Sequence, residues 1–483
     1  MTLLRWLVPL FLLAACATNP VTKNEDFVLM SEQQELELGQ LAAAQIAKEM
    51  PLLPENAPLS RYVDKVGQKV AATSDRPSLF YRFHVVDDST INAFALPGGY
   101  IYIYRGLLEH LNSEAELAAV LGHEIGHVAA RHAVKRYTQA QAYNLGMTVT
   151  SIFVPIPQGT NLLTDLIATA VIQGYGRDAE LQADKLSLTY LARAGYDPHA
   201  TIGILETLKR LDDIDAKEKK DAGDKVEQYH GAFASHPETR QRIEDAIREA
   251  AAMQGGGGIV DHADMLKAVD GYPYAGSTEQ GAMIGRRFLH PDLGIQLEFP
   301  PEWIVENTPA ALVARLRQKD AYFSLAMKEL VKRQSAGEIL SDIVAERKRI
   351  GPIVTGVQDG FDYAHVQANV SLQHVSEATA DIWIFLRGPK AFRLIMWCKR
   401  DEFGKYQPDF ASIAGSFRSY DKVRDGDIPR IALYTWKAGD SWTALAARSR
   451  NILGRFTADK LAVLNGMDVK QAPEPGTLVK IVR

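Results

Sequence analysis

Cysteine is nearly missing from this chain: there are only two, Cys16 and Cys398, far apart in the sequence. That excludes the dense disulfide framework on which small secreted domains rely. Apolar runs of about 20 residues, the length a helix needs to cross a bilayer, are scarce, which excludes a multi-span membrane protein. A surplus of positive charge is lacking too. Lys and Arg number 54 against 59 Asp and Glu, a net charge of −5, whereas nucleic-acid-binding domains are strongly basic. No nucleic-acid partner is expected. With 46% hydrophobic and 23% charged residues, the composition is also too apolar for general disorder. At roughly 100–200 residues per domain, the chain has room for several domains.

The first cysteine belongs to a leader. Arg5, an apolar run over residues 6–13, and then Leu13-Ala14-Ala15-Cys16 follow the layout of a secretory signal peptide, too short to span a membrane. Small residues followed by cysteine resemble the bacterial lipobox. Residues 1–15 are therefore expected to be removed, leaving Cys16 as an acylated anchor on a lipidated tether, residues 16–30. The other reading is a plain signal peptide with a chance cysteine. Ala17, rather than Asp, resembles the signal for sorting to the outer membrane. An acylated Cys16 would leave Cys398 without a partner in the chain, as a core residue.

Helical spacing marks residues 31–50 and 59–72, and strand-like residues 81–86 and 100–104 flank a turn at Pro97-Gly98-Gly99. From Ser113 the pattern is helical again, with a capping-box signature in Ser113 and Glu116. Residues 144–173 are apolar but broken by Pro155-Ile156-Pro157-Gln158-Gly159, which fits two helices over a buried site better than a membrane hairpin. Residues 208–228, dense in both charges, read as a solvated helix or loop. The Gly255-Gly256-Gly257-Gly258 run reads as a flexible break opening a linker, residues 255–280. Beyond it, residues 281–424 alternate strand-like pieces with one charged helix, 335–349, suggesting an α+β module. A small unit, 429–483, follows.

The strongest chemical signal is His123-Glu124-Ile125-Gly126-His127. Histidines four apart share one helix face, so both imidazoles can reach one ion, and Glu124 projects near enough to take a proton from the water it activates. The bare motif is only moderately specific, so its surroundings decide. Glu180 and Asp184, four apart on a second helix, would alone read as exposed acids. Beside such a motif, Glu180 reads as the third ligand of a two-histidine, one-glutamate zinc set and Asp184 as the group that orients a ligand histidine. His132 lies about 140° around the helix from His127 and should face elsewhere. His84 and His110 lack a placed partner.

These residues resemble the HtpX-like and CAAX-prenyl-protease-like zinc peptidases, in particular their periplasmic BepA-like members. Asn92, Ala93, Phe94, Ala95, Leu96, Pro97, Gly98 and Gly99 match the family segment whose strand edge aligns an extended peptide. Ser235-His236-Pro237 with Arg240, Arg242 and Ile243 is similar to its His-Pro…Arg-Ile element. By that resemblance His236 is a fourth ligand closing the site or a donor to the oxyanion; otherwise it simply orders a turn. The membrane spans of HtpX-like enzymes are missing.

The resemblance implies an α+β multidomain protein. Residues 31–254 would form a mainly helical, gluzincin-type metallopeptidase domain with a small β-sheet, holding one zinc ion per chain. Tyr434-Thr435-Trp436, Gly439-Asp440-Ser441-Trp442, Leu464-Asn465-Gly466 and Pro475-Gly476-Thr477-Leu478 resemble a LysM domain, which implies binding to peptidoglycan. Ser441 and Trp442 depart from its usual Thr-Leu, which leaves that ligand open. Residues 281–424 vaguely resemble a PsbP fold and carry no assigned chemistry. The expected function is a periplasmic, outer-membrane-anchored zinc endopeptidase acting on misassembled envelope proteins. The competing expectations are a chaperone with a latched metal site and a peptidoglycan-binding adaptor.

Overall fold

The computed structural model describes residues 16–28, 30–144, 174–221, 239–253, 257–308, 311–316, 321–372, 375–453 and 456–483. The leader 1–15, nearly all of the apolar stretch 144–173, and Ser235-His236-Pro237 lie outside the described residues. Among the described residues, no helix is long and apolar enough to cross a membrane.

The chain starts with two short strands, β1 (Cys16–Thr18) and β2 (Glu25–Phe27), paired antiparallel. Val28 and Met30 then bury against Val134, and Lys135 Nζ lies 2.8 Å from an Asp26 carboxylate oxygen. The segment expected as a tether is therefore docked, because two apolar side chains and an ion pair give it a surface to bind.

A helical unit surrounds a small sheet. Helix α1 (Glu32–Glu49) opens with a complete capping box between Ser31 and Gln34, and α2 (Pro58–Ala71) starts on proline, whose missing N–H costs nothing there. Strands β3 (Arg82–Val86), β4 (Ala93–Leu96) and β5 (Tyr100–Tyr104) form a sheet in the order β3-β5-β4, with β4 at its edge. Then come α3 (Arg105–His110), α4 (Glu114–Ala129), α5 (His132–Asn144), α6 (Arg177–Ala194), α7 (Ala200–Asp221), α8 (Thr239–Ala252) and α9 (His262–Val269).

Helix α4 runs through the core, buried at every residue but Glu116. Ser113 Oγ accepts from the Glu116 N–H, while Glu116 itself accepts from the Asn112 N–H, so only half of the expected capping box forms. Gly122 and Gly126 let α6 come close. A Cβ at Gly126 would lie 3.2 Å from the Ala183 carbonyl oxygen, and one at Gly122 3.1 Å from the Ser187 hydroxyl.

The presumed linker 255–280 is not one. Helix α9 lies in it and buries Met265, Leu266 and Val269, an amphipathic face that the adjacent glycine run obscures in the sequence. The following module has a five-stranded and a seven-stranded sheet. In the larger sheet, β6 (Phe361–Leu372), β7 (Val375–Arg387) and β8 (Lys390–Lys399) are neighbours. Helix α10 (Ala336–Ile343) covers one face with Leu340, and α11 (Phe403–Ser416) covers the other with Phe410 against Phe392 and Cys398. The charged helix expected to reach residue 349 ends at Ile343, and Arg349 already begins a strand, Arg349–Gln358.

The last unit runs strand–helix–helix–strand and is seated on the helical unit. Lys480, fully buried, donates to the carbonyls of Glu109 (2.6 Å) and Leu111 (2.8 Å). Arg210 in α7 donates to the Gly466 carbonyl at 3.2 Å. Arg105, also buried, pairs with Asp87 and Glu109 and donates to the carbonyls of Pro273 and Gly276. Removing one partner from such a buried network leaves uncompensated charge. Arg105→Met is expected to cost about 3–5 kcal/mol, read as a lower urea midpoint at unchanged slope.

Candidate metal centre

Helix α4 presents His123 and His127 one turn apart, and α6 brings Glu180 to face them. The two Nε2 atoms are 3.0 Å apart, and Glu180 oxygens lie 3.3 Å from that of His123 and 3.5 Å from that of His127. Ligands about 2.0–2.1 Å from a tetrahedral zinc ion lie about 3.3 Å from one another. The three donors are thus already spaced as three corners of that tetrahedron. All three residues are buried.

The outer ring nitrogens explain why both Nε2 atoms point inward. His123 Nδ1–H donates to Asp184 Oδ1 at 2.8 Å. His132 Nε2–H donates to the Gln182 side-chain oxygen at 3.0 Å, leaving its Nδ1 to accept the His127 Nδ1–H at 2.8 Å. Each ligand histidine is thereby held in the tautomer that frees Nε2 for a metal. Burial pushes the His132 imidazole down to about 4, which keeps it neutral for this role. Burial also disfavours charge on His123, but Asp184 and Glu180 outweigh it and raise that pKa to about 10. Two carboxylates therefore draw a positive charge to this point, a proton or a metal ion.

His132 does not face elsewhere. Helix α4 ends at Ala129, and Arg131, at φ 57°, redirects the chain before α5 starts at His132. Helical periodicity did not apply across that break.

Arg242 in α8 donates to both Asp184 oxygens, at 2.6 and 2.8 Å. Burial opposes ionisation of Asp184, but the Arg242 guanidinium and His123 hold its carboxyl below the usual range. Tyr175 stacks on His127 at 4.2 Å and donates to the Ala95 carbonyl at 3.4 Å. The roles of His132, Gln182 and Tyr175 were not legible in the sequence. Arg242 appeared there only inside the His-Pro…Arg-Ile element.

Glu124 is buried and borders a cavity shared with His123, Asn92 and Ala93. Ala95 and Pro97 lie with His127 and Tyr175 on the other side of the centre. The remaining strand candidates sit apart. Phe94 turns into the opposite core, stacked 4.8 Å from Tyr102, while Gly98 and Gly99 pack against Leu36 and Leu79. His110 is a structural residue whose Nδ1–H donates to the Gly106 carbonyl at 2.8 Å, and His84 stacks on Tyr102. His236 falls outside the described residues, and the Cys16 side chain is not described.

Residues 58–250 match the model of Peptidase family M48. Family M48 peptidases are zinc-dependent, and the donor set fits that ion. The chain is 34% identical over 172 residues to the mitochondrial metalloendopeptidase OMA1 of Arabidopsis thaliana, covering 36% of this chain and 32% of the relative. It is 29% identical over 227 residues to OMA1 of Schizosaccharomyces pombe, covering 46% and 63%. To the beta-barrel assembly-enhancing protease of Escherichia coli (strain K12) it is 30% identical over 190 residues, covering 37% and 38%. The chain thus spans less than two thirds of each relative. Among solved structures, the cyanobacterial PsbP of Synechocystis sp. PCC 6803 aligns with 29% of this chain and 95% of its own. That alignment has a TM-score of 0.22 and 18% identity, too low to assign a fold.

The metal site is expected to hold one zinc ion per chain. Asp184→Asn and His132→Leu are each expected to weaken zinc about 10–100-fold, measured by chelator competition, whereas His123→Ala should abolish stoichiometric binding.

Proposed function

We propose that this chain is a zinc-dependent endopeptidase that cleaves misassembled proteins of the bacterial envelope. The observation that carries the hydrolytic reading is the convergence of His123, His127 and Glu180 on one buried point with Glu124 on the same helix. Zinc bound there would polarise the scissile carbonyl and lower the pKa of a water toward about 7. Glu124 accepts the proton of the attacking water and passes it to the leaving amine. The Asp184–Arg242 pair and the His132–Gln182 pair keep the two imidazoles from turning. Strand β4, at the sheet edge, offers backbone groups to an extended substrate.

The envelope setting is supported by likeness to the Escherichia coli beta-barrel assembly-enhancing protease. Export and lipid anchoring at the outer membrane are supported by the leader and Cys16. The strand–helix–helix–strand unit at the C-terminus is proposed as a LysM-like module that contacts peptidoglycan, on the strength of its motif. Within it Trp442 is buried beside Trp436, so its departure from the usual leucine serves packing.

Glu124→Gln is expected to lower cleavage of an unfolded protein substrate by at least about 100-fold while zinc stays bound. Substantial cleavage by the zinc-loaded variant would falsify the mechanism.

A further inference from the structure

His132 reaches His127 only because the helix breaks between them. In a continuous helix, five residues would carry His132 about 140° around the axis, away from its partner. The break turns on one residue, Arg131, in the left-handed conformation at φ 57°. A side chain other than glycine is strained there, and such a conformation persists only where its surroundings hold it. Arg131 is held by a buried carboxylate, that of Glu35 in α1.

Glu35 grips both sides of the break. Its Oε2 accepts from Arg131 Nε at 2.8 Å, and the same guanidinium donates through Nη2 to the Met30 carbonyl at 3.2 Å. Its Oε1 accepts from Arg76 Nη1 at 2.8 Å, and that nitrogen also donates to the Val128 carbonyl at 3.3 Å. Val128 lies in the last turn of α4, next to His127. One carboxylate thus ties the end of the metal-site helix to the residue that redirects the chain. Glu35, Arg76 and Arg131 are all buried, so each charge depends on the others for compensation.

We infer that Glu35 is a positioning residue for the metal ligand His127, acting through the Arg131 turn and His132. The inference rests on the zinc site of the proposed function and deepens it. Glu35 is not one of the three converging donors. It sets where His132 Nδ1 stands to accept the His127 Nδ1–H at 2.8 Å. Without the clamp, Arg131 relaxes toward the right-handed conformation and carries His132 away. His127 then loses the acceptor that fixes its ring. His123 is fixed separately, by Asp184 and Arg242, which have no part in this clamp.

The test is a double-mutant cycle on zinc affinity, measured by chelator competition with the full-length protein. Glu35→Gln keeps the shape of the side chain and removes its charge. It should weaken zinc about tenfold. In a His132→Leu background, where no acceptor remains to be placed, the same change should alter affinity less than about twofold. A residue that merely supports the fold would leave affinity unchanged or weaken it equally in both backgrounds, and either result overturns the inference. Glu32, on the same helix, has an exposed carboxylate 3.4 Å from the same Arg76. Glu32→Gln should leave zinc affinity unchanged; a loss as large as that of Glu35→Gln counts against the clamp.

Should Glu35→Gln fail to fold, Arg131→Lys gives a second route. Lysine keeps the charge beside Glu35 but lacks the planar fork that bonds Glu35 and the Met30 carbonyl together. The same pattern is expected, about tenfold weaker zinc with His132 present and little change without it. Equal losses in both backgrounds overturn the inference here too. Zinc affinity is read without cleavage. A wild-type protein that holds zinc yet hydrolyses nothing therefore removes the peptidase reading and leaves the positioning role standing, whereas one that binds no zinc removes both.

Discussion

The metal centre depends on the close contact of α4 and α6. Two histidines on one helix can share an ion only if a third donor arrives from outside, and Glu180 does so because Gly122 and Gly126 leave no side chains between the helices. The same contact places Asp184 one turn beyond Glu180, against the outer nitrogen of His123. Moving α6 outward by the width of a methyl group would separate the third donor from the other two. Close packing of this kind tolerates small volume changes poorly, so the two glycines are as much a part of the site as its ligands.

Around this contact the polar groups form two relays, each ending on one ligand. Arg242 fixes Asp184, which fixes His123; Gln182 fixes His132, which fixes His127. Every member is buried or nearly so, where a half-made hydrogen bond is costly, so each relay defines one ring orientation. The carboxylates give the centre its affinity for positive charge, and a mostly aliphatic cavity borders Glu124. These features suit the proposed chemistry, in which a peptide carbonyl is polarised and a proton moves over a short path.

The C-terminal unit contributes to this arrangement from a distance. Lys480 reaches the carbonyls just before the Ser113 cap of α4, and Gly466 holds α7 through Arg210. Both contacts act on helices that border the cavity. A module that sequence alone presents as a separate appendage is thus a brace for the helical unit. Its lysine had no visible motif because both its acceptors are backbone oxygens, which leave no trace in residue type.

The sequence by itself picked out the donor set that the fold brings together. His123, Glu124 and His127 lie within one helical turn, a local spacing that periodicity converts directly into a shared face, and Glu180 with Asp184 repeats that logic on a second helix. Composition likewise argued against a multi-span membrane protein and a basic nucleic-acid binder. Tertiary structure alone decided everything that joins distant segments. His132 returns to His127 only because Arg131 breaks the helix, and Arg242 meets Asp184 only because α8 packs on α6. The linker and tether became docked elements because their few apolar residues found partners far along the chain. Local spacing is written in the residues, but long-range contacts depend on how whole helices pack, which no short pattern encodes.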